Sequence, residues 1–232
     1  MQHETTQDQW KRTAGEAAVE FIEAGMVIGL GTGSTASYMI QALARRLQAG
    51  LKIVGAVPTS EATEQLARSL GIPLTDLDTY PELDLAIDGT DEVDNHLNLI
   101  KGGGGALLRE KIVASASRRF IVIADVTKLV TQLGSSAVLP VETIPFAVTP
   151  VSRRLHALGA SVQLRTRSNQ VFLTDNGNVI LDCSFAGGIT DPTDLESRIR
   201  RIVGVVETGL FLNMAECAII GGPEGARQIL AR

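Results

Sequence analysis

Short apolar runs and helical stretches take turns along the first half of this chain, and that alternation restricts the fold more than any other feature. Residues 26–30, 52–57, 83–88 and 120–124 have the length and the Val/Ile/Leu content of buried strands. Between them, residues 35–47, 60–70 and 106–115 carry helical periodicity, and Thr59 or Ser60 is a ready cap for the second of these helices. A further helix over 7–24, with Ala17, Ala18, Phe21 and Ile22 on one side, precedes the first strand and closes at Gly25. Strands joined through helices of this length predict βαβ units. The chain is therefore expected to be α/β, with a doubly wound, mainly parallel sheet covered on both faces. Hydrophobic residues make up 44% of the chain and aromatics only 4%, so Ala, Val, Ile and Leu must build the core.

After Gly134 the texture changes. Pro140, Pro145 and Pro150 punctuate short segments, and Thr149 or Ser152 can start a helix that runs to Leu158. Residues 162–164 and 171–173 read as strands, and Asp175-Asn176-Gly177-Asn178 reads as a hairpin turn before Val179-Ile180-Leu181. A helix over 194–202 and a short strand at 205–206 follow. This pattern predicts a small α+β domain over 134–207, with 1–133 plus 208–232 forming the main domain. The last stretch, a strand over 217–220 and then a helix beyond Gly221-Gly222-Pro223, is expected to return to the main sheet.

Charge and composition narrow the partners. The formal net charge is −5 with no basic stripe, which disfavours nucleic acid. No run reaches the ~18 apolar residues that a membrane span needs. Residues 1–11 are polar and lack the apolar segment of a signal peptide. Cys183 and Cys217, without CxxC spacing, read as reduced thiols. Together these features lead us to expect a soluble cytoplasmic protein.

In a doubly wound sheet ligands bind beyond the C-terminal strand ends. Three candidates converge there: the loop after 26–30, Asp88 at the end of 83–88, and residues 125–128. Gly29-Leu30-Gly31-Thr32-Gly33-Ser34-Thr35 joins a strand to a helix, where free N–H groups and the helix dipole favour an anion. Gly31, Gly33 and Ala36 fit G-x-G-x-x-A, but the second strand ends in Val57-Pro58-Thr59 with no acid for a ribose hydroxyl, and no Walker lysine follows Gly33. A simple phosphate ester suits the loop better than a nucleotide; a purely structural turn is the alternative. Lys128 reads equally as a phosphate contact or a surface lysine.

The acids carry the chemistry. Asp88-Gly89-Thr90-Asp91-Glu92 is followed by Lys101-Gly102-Gly103-Gly104-Gly105 and then Glu110. Proton abstraction beside a carbonyl needs a carboxylate in a partly dry pocket and a cation to meet the developing oxyanion. Glu110 and Lys101 suit those roles, and the four glycines can supply backbone donors. Alternatively Asp88 and Asp91 are solvated loop acids, and Glu110 pairs with Arg109 or Lys111 near a helix start. That alternative leaves the run of glycines unexplained. Asp88, Asp91, Glu92, Asp94 and His96 match no metal-binding pattern, and His3, His96 and His156 are scattered, so neither metal nor cofactor is expected. No nucleophile elbow supports a Ser-His-Asp triad.

These motifs, in their order and spacing, resemble those of the type A ribose-5-phosphate isomerases. The likeness extends to Asp175-Asn176-Gly177-Asn178-Val179-Ile180-Leu181-Asp182 and to Gly209-Leu210-Phe211, and so spans nearly the whole chain. It implies a Rossmann-like domain with a smaller α+β lid that also serves assembly, commonly as a homodimer or homotetramer. It also implies a metal-free aldose–ketose isomerase acting on ribose 5-phosphate and ribulose 5-phosphate, within the non-oxidative pentose phosphate pathway. By position, Glu110 matches the catalytic base, Asp88 an acid assisting ring opening, and Lys101 the lysine that steadies negative charge. Asp91 lies in the same substrate-contacting turn. Thr32, Gly33, Ser34, Thr35 and Lys128 match substrate-binding positions, and Gly102, Gly103 and Gly104 would wrap the sugar. Two departures stand out: Thr90 occupies a position where Ala is frequent, and Phe185-Ala186-Gly187-Gly188-Ile189 differs from the bacterial pattern. A non-catalytic sugar-phosphate sensor and a CoA-transferase-like protein are the competing readings.

Overall fold

The computed structural model describes residues 5–231; Met1 and His3 lie outside them. Helix α1 (Thr6–Ala18) starts at a capping box, with Thr5 and Asp8 each accepting the other's backbone N–H. Strand β1 (Val27–Leu30), helix α2 (Ser34–Gln48), β2 (Gly55–Pro58), α3 (Glu61–Ser69) and β3 (Leu85–Gly89) follow. Next come β4 (Glu92–Val93), β5 (Leu99–Ile100), α4 (Leu107–Ser115) and β6 (Phe120–Asp125). The second half holds β7 (Leu139–Thr143), α5 (Val148–Ala157), β8 (Ala160–Leu164), β9 (Thr166–Arg167), β10 (Gln170–Val171) and β11 (Val179–Phe185). It ends with α6 (Pro192–Arg200), β12 (Val205–Thr208), β13 (Leu210–Phe211), β14 (Cys217–Gly222) and β15 (Gly225–Leu230).

The main sheet has the order β15-β14-β6-β3-β1-β2, parallel throughout except at its β14–β15 edge. It is the expected α/β, mainly parallel architecture. Strand parity sorts its side chains. Ile28, Leu30, Leu85, Ile87, Ile121, Ile123 and Ile219 pack with α1, α2 and α3 on one face. Val27, Ala86, Val122, Ala124 and Ile220 pack with Val113 and Ala114 of α4, and with Phe211, on the other. Asp88 shares the parity of Ala86, so it projects towards the face that α4 covers. Connections leave β1 and β3 in opposite directions, which opens a crevice at their C-terminal ends.

A second sheet, β12-β7-β11-β8, is wholly antiparallel and packs with α5 and α6 around its own core of Val141, Val151, Leu155, Leu181 and Ile199. A three-stranded ribbon, β13-β5-β4, lies between the two cores, contributing Phe211 to one and Ile100 and Leu210 to the other. The segment Phe185–Ile189 fastens to the chain before β7, where Ile189 N–H donates to the Leu133 carbonyl (2.7 Å). Cys183 and Cys217 are free, buried and in different cores. Among the described residues no helix is long and apolar enough to cross a membrane.

Two expectations fail. The helix expected over 7–24 ends at Ala18 and passes into a 3-10 turn over Val19–Phe21. The segment after Pro223 is β15, an antiparallel edge strand, and not a helix. Its Ala, Arg, Gln and Leu content suits a helix, but Gly225 has φ +101° and turns the chain straight back along β14. Ladder pairing with β14 overrides propensity.

Candidate active site

The crevice beside β3 contains three charged groups almost sealed from solvent: Asp88, Lys101 and Glu110 are 2%, 2% and 5% exposed. Asp88 reaches it through strand parity. Its Oδ1 accepts the N–H groups of Thr32 (2.9 Å) and Gly89 (2.7 Å). Any side chain on Gly31 would collide with this carboxylate, which explains why the loop after β1 must be glycine there. Lys101 follows β5 directly, and the three-stranded ribbon holds its backbone through a 2.9 Å bond from its N–H to the Gly209 carbonyl. Its Nζ donates to the Gly89 carbonyl (2.5 Å) and faces Asp88 Oδ2 at 3.1 Å and Glu110 Oε1 at 3.3 Å. Glu110 arrives from the first turn of α4. Glu110 Oε2 is buried and has no hydrogen-bond partner.

One cation between two acids leaves a net negative charge out of water, which is unfavourable until one acid takes a proton. Burial, reinforced by the Asp88 charge, pushes Glu110 up to about 8. Burial also raises Asp88, against the opposing pull of Lys101. For Lys101 burial acts downward, but Asp88 and Glu110 outweigh it and the net shift is upward. Asp88 has two N–H donors and the shorter lysine contact, so the shared proton belongs on Glu110.

Asp91 does not join this triad by contact. Its Oδ2 accepts the N–H of Gly103 at 2.7 Å, and a Cβ on Gly103 would lie 2.7 Å from Asp91 Oδ1. A side chain there would push the Asp91 carboxylate out of this position. Thr90 is accommodated because its hydroxyl reaches the carbonyls of Glu92 (2.6 Å) and Ile100 (2.9 Å).

A pocket of about 130 Å³ joins Lys101, Glu110 and Asp91 to Thr32, Gly33, Ser34, Thr35, Gly102, Gly103, Gly104 and Lys128, with Asp88 reaching it through Lys101. Gly33, at φ +105°, caps α2 with no side-chain acceptor, so the first N–H groups of the helix are unclaimed by a cap. Lys128 sits on a short 3-10 turn whose cap is the buried Asp125, which accepts from Thr127 N–H at 3.0 Å. The Thr32 hydroxyl instead joins Thr59 (2.7 Å) and Ser60 (2.8 Å), fastening the loop to the start of α3.

Lys11 also lines this pocket, and the sequence reading missed it. It belongs to no motif; α1 reaches the crevice by packing on α2, β14 and β6, the last two from distant parts of the chain. Of the acids considered for a metal, Glu92 is committed elsewhere, accepting the N–H groups of Gly134, Ser136 and Ala137. Asp94 holds its own turn through His96 and Asn98. Among the described residues no group of three or more His, Cys, Asp or Glu side chains could hold a metal ion. A roomier groove of about 580 Å³ lies between α3 and α4, but it contains none of the triad.

Comparison with known proteins gives concordant results. The family described as ribose 5-phosphate isomerase A (phosphoriboisomerase A) matches residues 55–225. Ribose-5-phosphate isomerase A of Roseiflexus castenholzii is 56% identical over 218 residues, 93% of either chain. The crystal structure of ribose 5 phosphate isomerase A from Neisseria gonorrhoeae is 44% identical, with a TM-score of 0.92 over 99% of this chain and 100% of that one. A D-ribose-5-phosphate isomerase in complex with phospho-erythronic acid is 41% identical, with a TM-score of 0.94 over 98% of this chain and 100% of that one. None of these supports a sugar-phosphate sensor or a CoA-transferase-like protein.

Proposed function

The chain belongs to the ribose 5-phosphate isomerase A family and interconverts D-ribose 5-phosphate and D-ribulose 5-phosphate, and we propose that Glu110, Lys101 and Asp88 carry the proton transfer. The observation that carries this reading is the buried Glu110 carboxyl. One of its oxygens is held by Lys101; the other has no partner.

Asp88 assists opening of the sugar ring and then moves a proton between O1 and O2. Ionised Glu110 takes the proton from C2 of the open-chain aldose, and the electron pair passes to O1 as an enediolate forms. Lys101 meets that oxyanion, and so do N–H groups of the glycine loop. Glu110 returns its proton to C1, giving the ketose. Asp91 shapes the loop through Gly103. The phosphate sits at the N-terminus of α2 against Gly33, Ser34 and Thr35, with Lys11 and Lys128 on either side of the charge. No step in this route calls for a metal or a cofactor.

Residues 1–133 with 208–232 form the catalytic domain in this reading, and 134–207 form a lid that also assembles the protein as a homodimer or homotetramer in the cytoplasm. Phe146 and Val203, 95% and 93% exposed beside the antiparallel sheet, support assembly through that domain. The pathway is the non-oxidative pentose phosphate pathway.

A coupled assay of ribulose 5-phosphate formation run in deuterated water tests the route. Deuterium should enter the product carbon, and turnover should survive exhaustive chelation. Turnover without any exchange would point to a hydride shift and remove Glu110 as the base.

A further inference from the structure

We propose that Arg165, on the antiparallel-sheet side of the molecule, is a positioning residue that sets the glycine loop for catalysis; this inference rests on the isomerase reading above. Arg165 lies between β8 and β9, far in sequence from the triad. Asp182 of β11 grips its guanidinium from two sides, Nε donating to Oδ2 at 2.9 Å and Nη2 to Oδ1 at 2.5 Å. Both side chains are largely buried, 12% and 19% exposed. The remaining nitrogen, Nη1, donates to the carbonyls of Gly102 (2.7 Å) and Gly103 (3.2 Å).

Those two bonds fix two consecutive peptide planes. Every described peptide bond is trans, so each N–H points opposite to the carbonyl of its own plane. With both carbonyls drawn to Arg165, the N–H groups of Gly103 and Gly104 face the other way. Gly103 N–H indeed reaches Asp91 at 2.7 Å. Gly104 N–H is thereby directed to the side where Gly104 lines the pocket with Lys101 and Glu110. Asp91 takes the Gly103 N–H, so the Gly104 N–H is the loop donor turned towards the oxyanion. A glycine run has little intrinsic preference for one peptide orientation; the turn's own bond from Gly105 N–H to the Gly102 carbonyl (3.0 Å) helps to hold the first plane, and Arg165 holds the second through the Gly103 carbonyl. Arginine fits this task, since its planar fork can hold a carboxylate on one edge and carbonyls on another. Lysine cannot.

The consequence is a division between phosphate binding and oxyanion binding. Loss of Arg165 frees the loop peptides without touching the α2 terminus, Lys11 or Lys128. In Arg165→Met and Arg165→Lys, kcat should fall about tenfold to a hundredfold, somewhat less than a fully removed oxyanion donor. KM should stay within about threefold. Binding of phospho-erythronic acid, whose carboxylate can stand in for the enediolate, should weaken in proportion to the loss of kcat/KM. Binding of inorganic phosphate should not change. Asp182→Asn, which loosens the fork and leaves Arg165 in place, should give an intermediate loss.

Steady-state kinetics, titration with the two probes and thermal melts on the full chain decide the matter. Unchanged kcat in Arg165→Met, in an enzyme whose Glu110→Gln variant is inactive, overturns the clamp alone. Equal weakening of phosphate and phospho-erythronic acid, or a kcat loss that Arg165→Lys restores, also overturns it. A wild-type chain without isomerase activity would sink the underlying reading instead.

Discussion

Two lysines lie over the ring of Phe211, Lys101 at 5.4 Å and Lys111 at 4.8 Å from its centroid, and their surroundings could hardly differ more. Lys111 is saturated: it donates to Glu207 (2.9 Å) and to the Thr208 carbonyl (2.7 Å), and Glu196 stands 3.5 Å away. Glu207 in turn accepts the Thr208 N–H, so that network closes on itself and ties α4 to β12. Lys101 is also well bonded, but the acids it serves are less so: Asp88 Oδ2 has only the ion pair with Lys101 (3.1 Å), and Glu110 Oε2 has no hydrogen-bond partner. Burial is the same in kind at both places. A buried ion cluster that leaves no sealed oxygen unmatched is a structural joint, and one that seals a carboxylate oxygen away without a donor keeps reactive capacity at the expense of stability. Neighbouring residues of a single helix, Glu110 and Lys111, take opposite roles on that ground.

The largest effect expected is at Glu110. Glu110→Gln preserves shape and mimics the protonated carboxyl, so substrate should still bind while kcat falls by about 10⁴-fold. The same group governs pH dependence with opposite signs for activity and stability. Activity needs the ionised base, so kcat/KM should climb with pH and level off above about 8. For stability, the folded protein holds a proton that an unfolded glutamate, with a pKa of about 4.3, has released. Stability is therefore full below the unfolded value and is lost as pH rises through about 8. Asp88, also raised, adds to the same trend. Glu110→Gln should flatten this loss, melting higher than wild type at pH 9 and much the same at pH 5. A variant as pH-sensitive as wild type would show that the unmatched carboxyl is not the source.

Next in size is the lysine pair itself. Lys101→Met should lower kcat by about 10²–10³-fold, because the oxyanion loses its cation. Its stability loss should be modest, since Glu110 and Asp88 can take up protons. Lys111→Met should do the reverse: about 3 kcal/mol less stable, as Glu207 is left buried and unpaired, yet with kcat within about threefold for the folded fraction. Denaturant melts and kinetics well below the transition separate the two. If Lys111→Met lost as much turnover as Lys101→Met, the distinction between closed and open clusters would fail.

How far the sequence reveals this contrast depends on distance along the chain. The parallel sheet, the loop after β1 and the acids of β3 were legible because each is a local pattern: an apolar run, a glycine turn, an acid at a strand end. Asp88, Lys101 and Glu110 lie within 23 consecutive positions, so their proximity was already suggested by the chain. Lys111 was visible only as a possible partner for Glu110, because Glu207 and Thr208 lie about a hundred residues away. Lys11 and Arg165 carry no local signature, and Asp182 is seen only as the end of the 175–182 stretch with nothing to mark its partner; their roles follow from how α1 and the antiparallel sheet dock. The misread end, β15, failed for the same reason: its partner strand, not its composition, decides its form.

The phosphate end offers a third lysine environment and the smallest effect. Lys11 and Lys128 are neither sealed nor ion-paired to the triad; both are partly exposed, Lys11 beside Asp8 at 3.8 Å, and both line the pocket near the start of α2. Charges in such a setting act through a solvent-screened field, so each should serve binding more than chemistry. Lys11→Met and Lys128→Met should each raise KM about tenfold, the value of one charged hydrogen bond to phosphate, and leave kcat nearly unchanged. Screening supplies the sharper test. The KM of the wild-type enzyme should rise with ionic strength, and that slope should shrink in each variant, whereas Lys101→Met should keep the wild-type slope because its cation is shielded from salt. A kcat loss in Lys128→Met comparable to that in Lys101→Met would mean that phosphate contact and proton transfer are coupled through the loop. The sealed lysine and the screened one would then act as one unit.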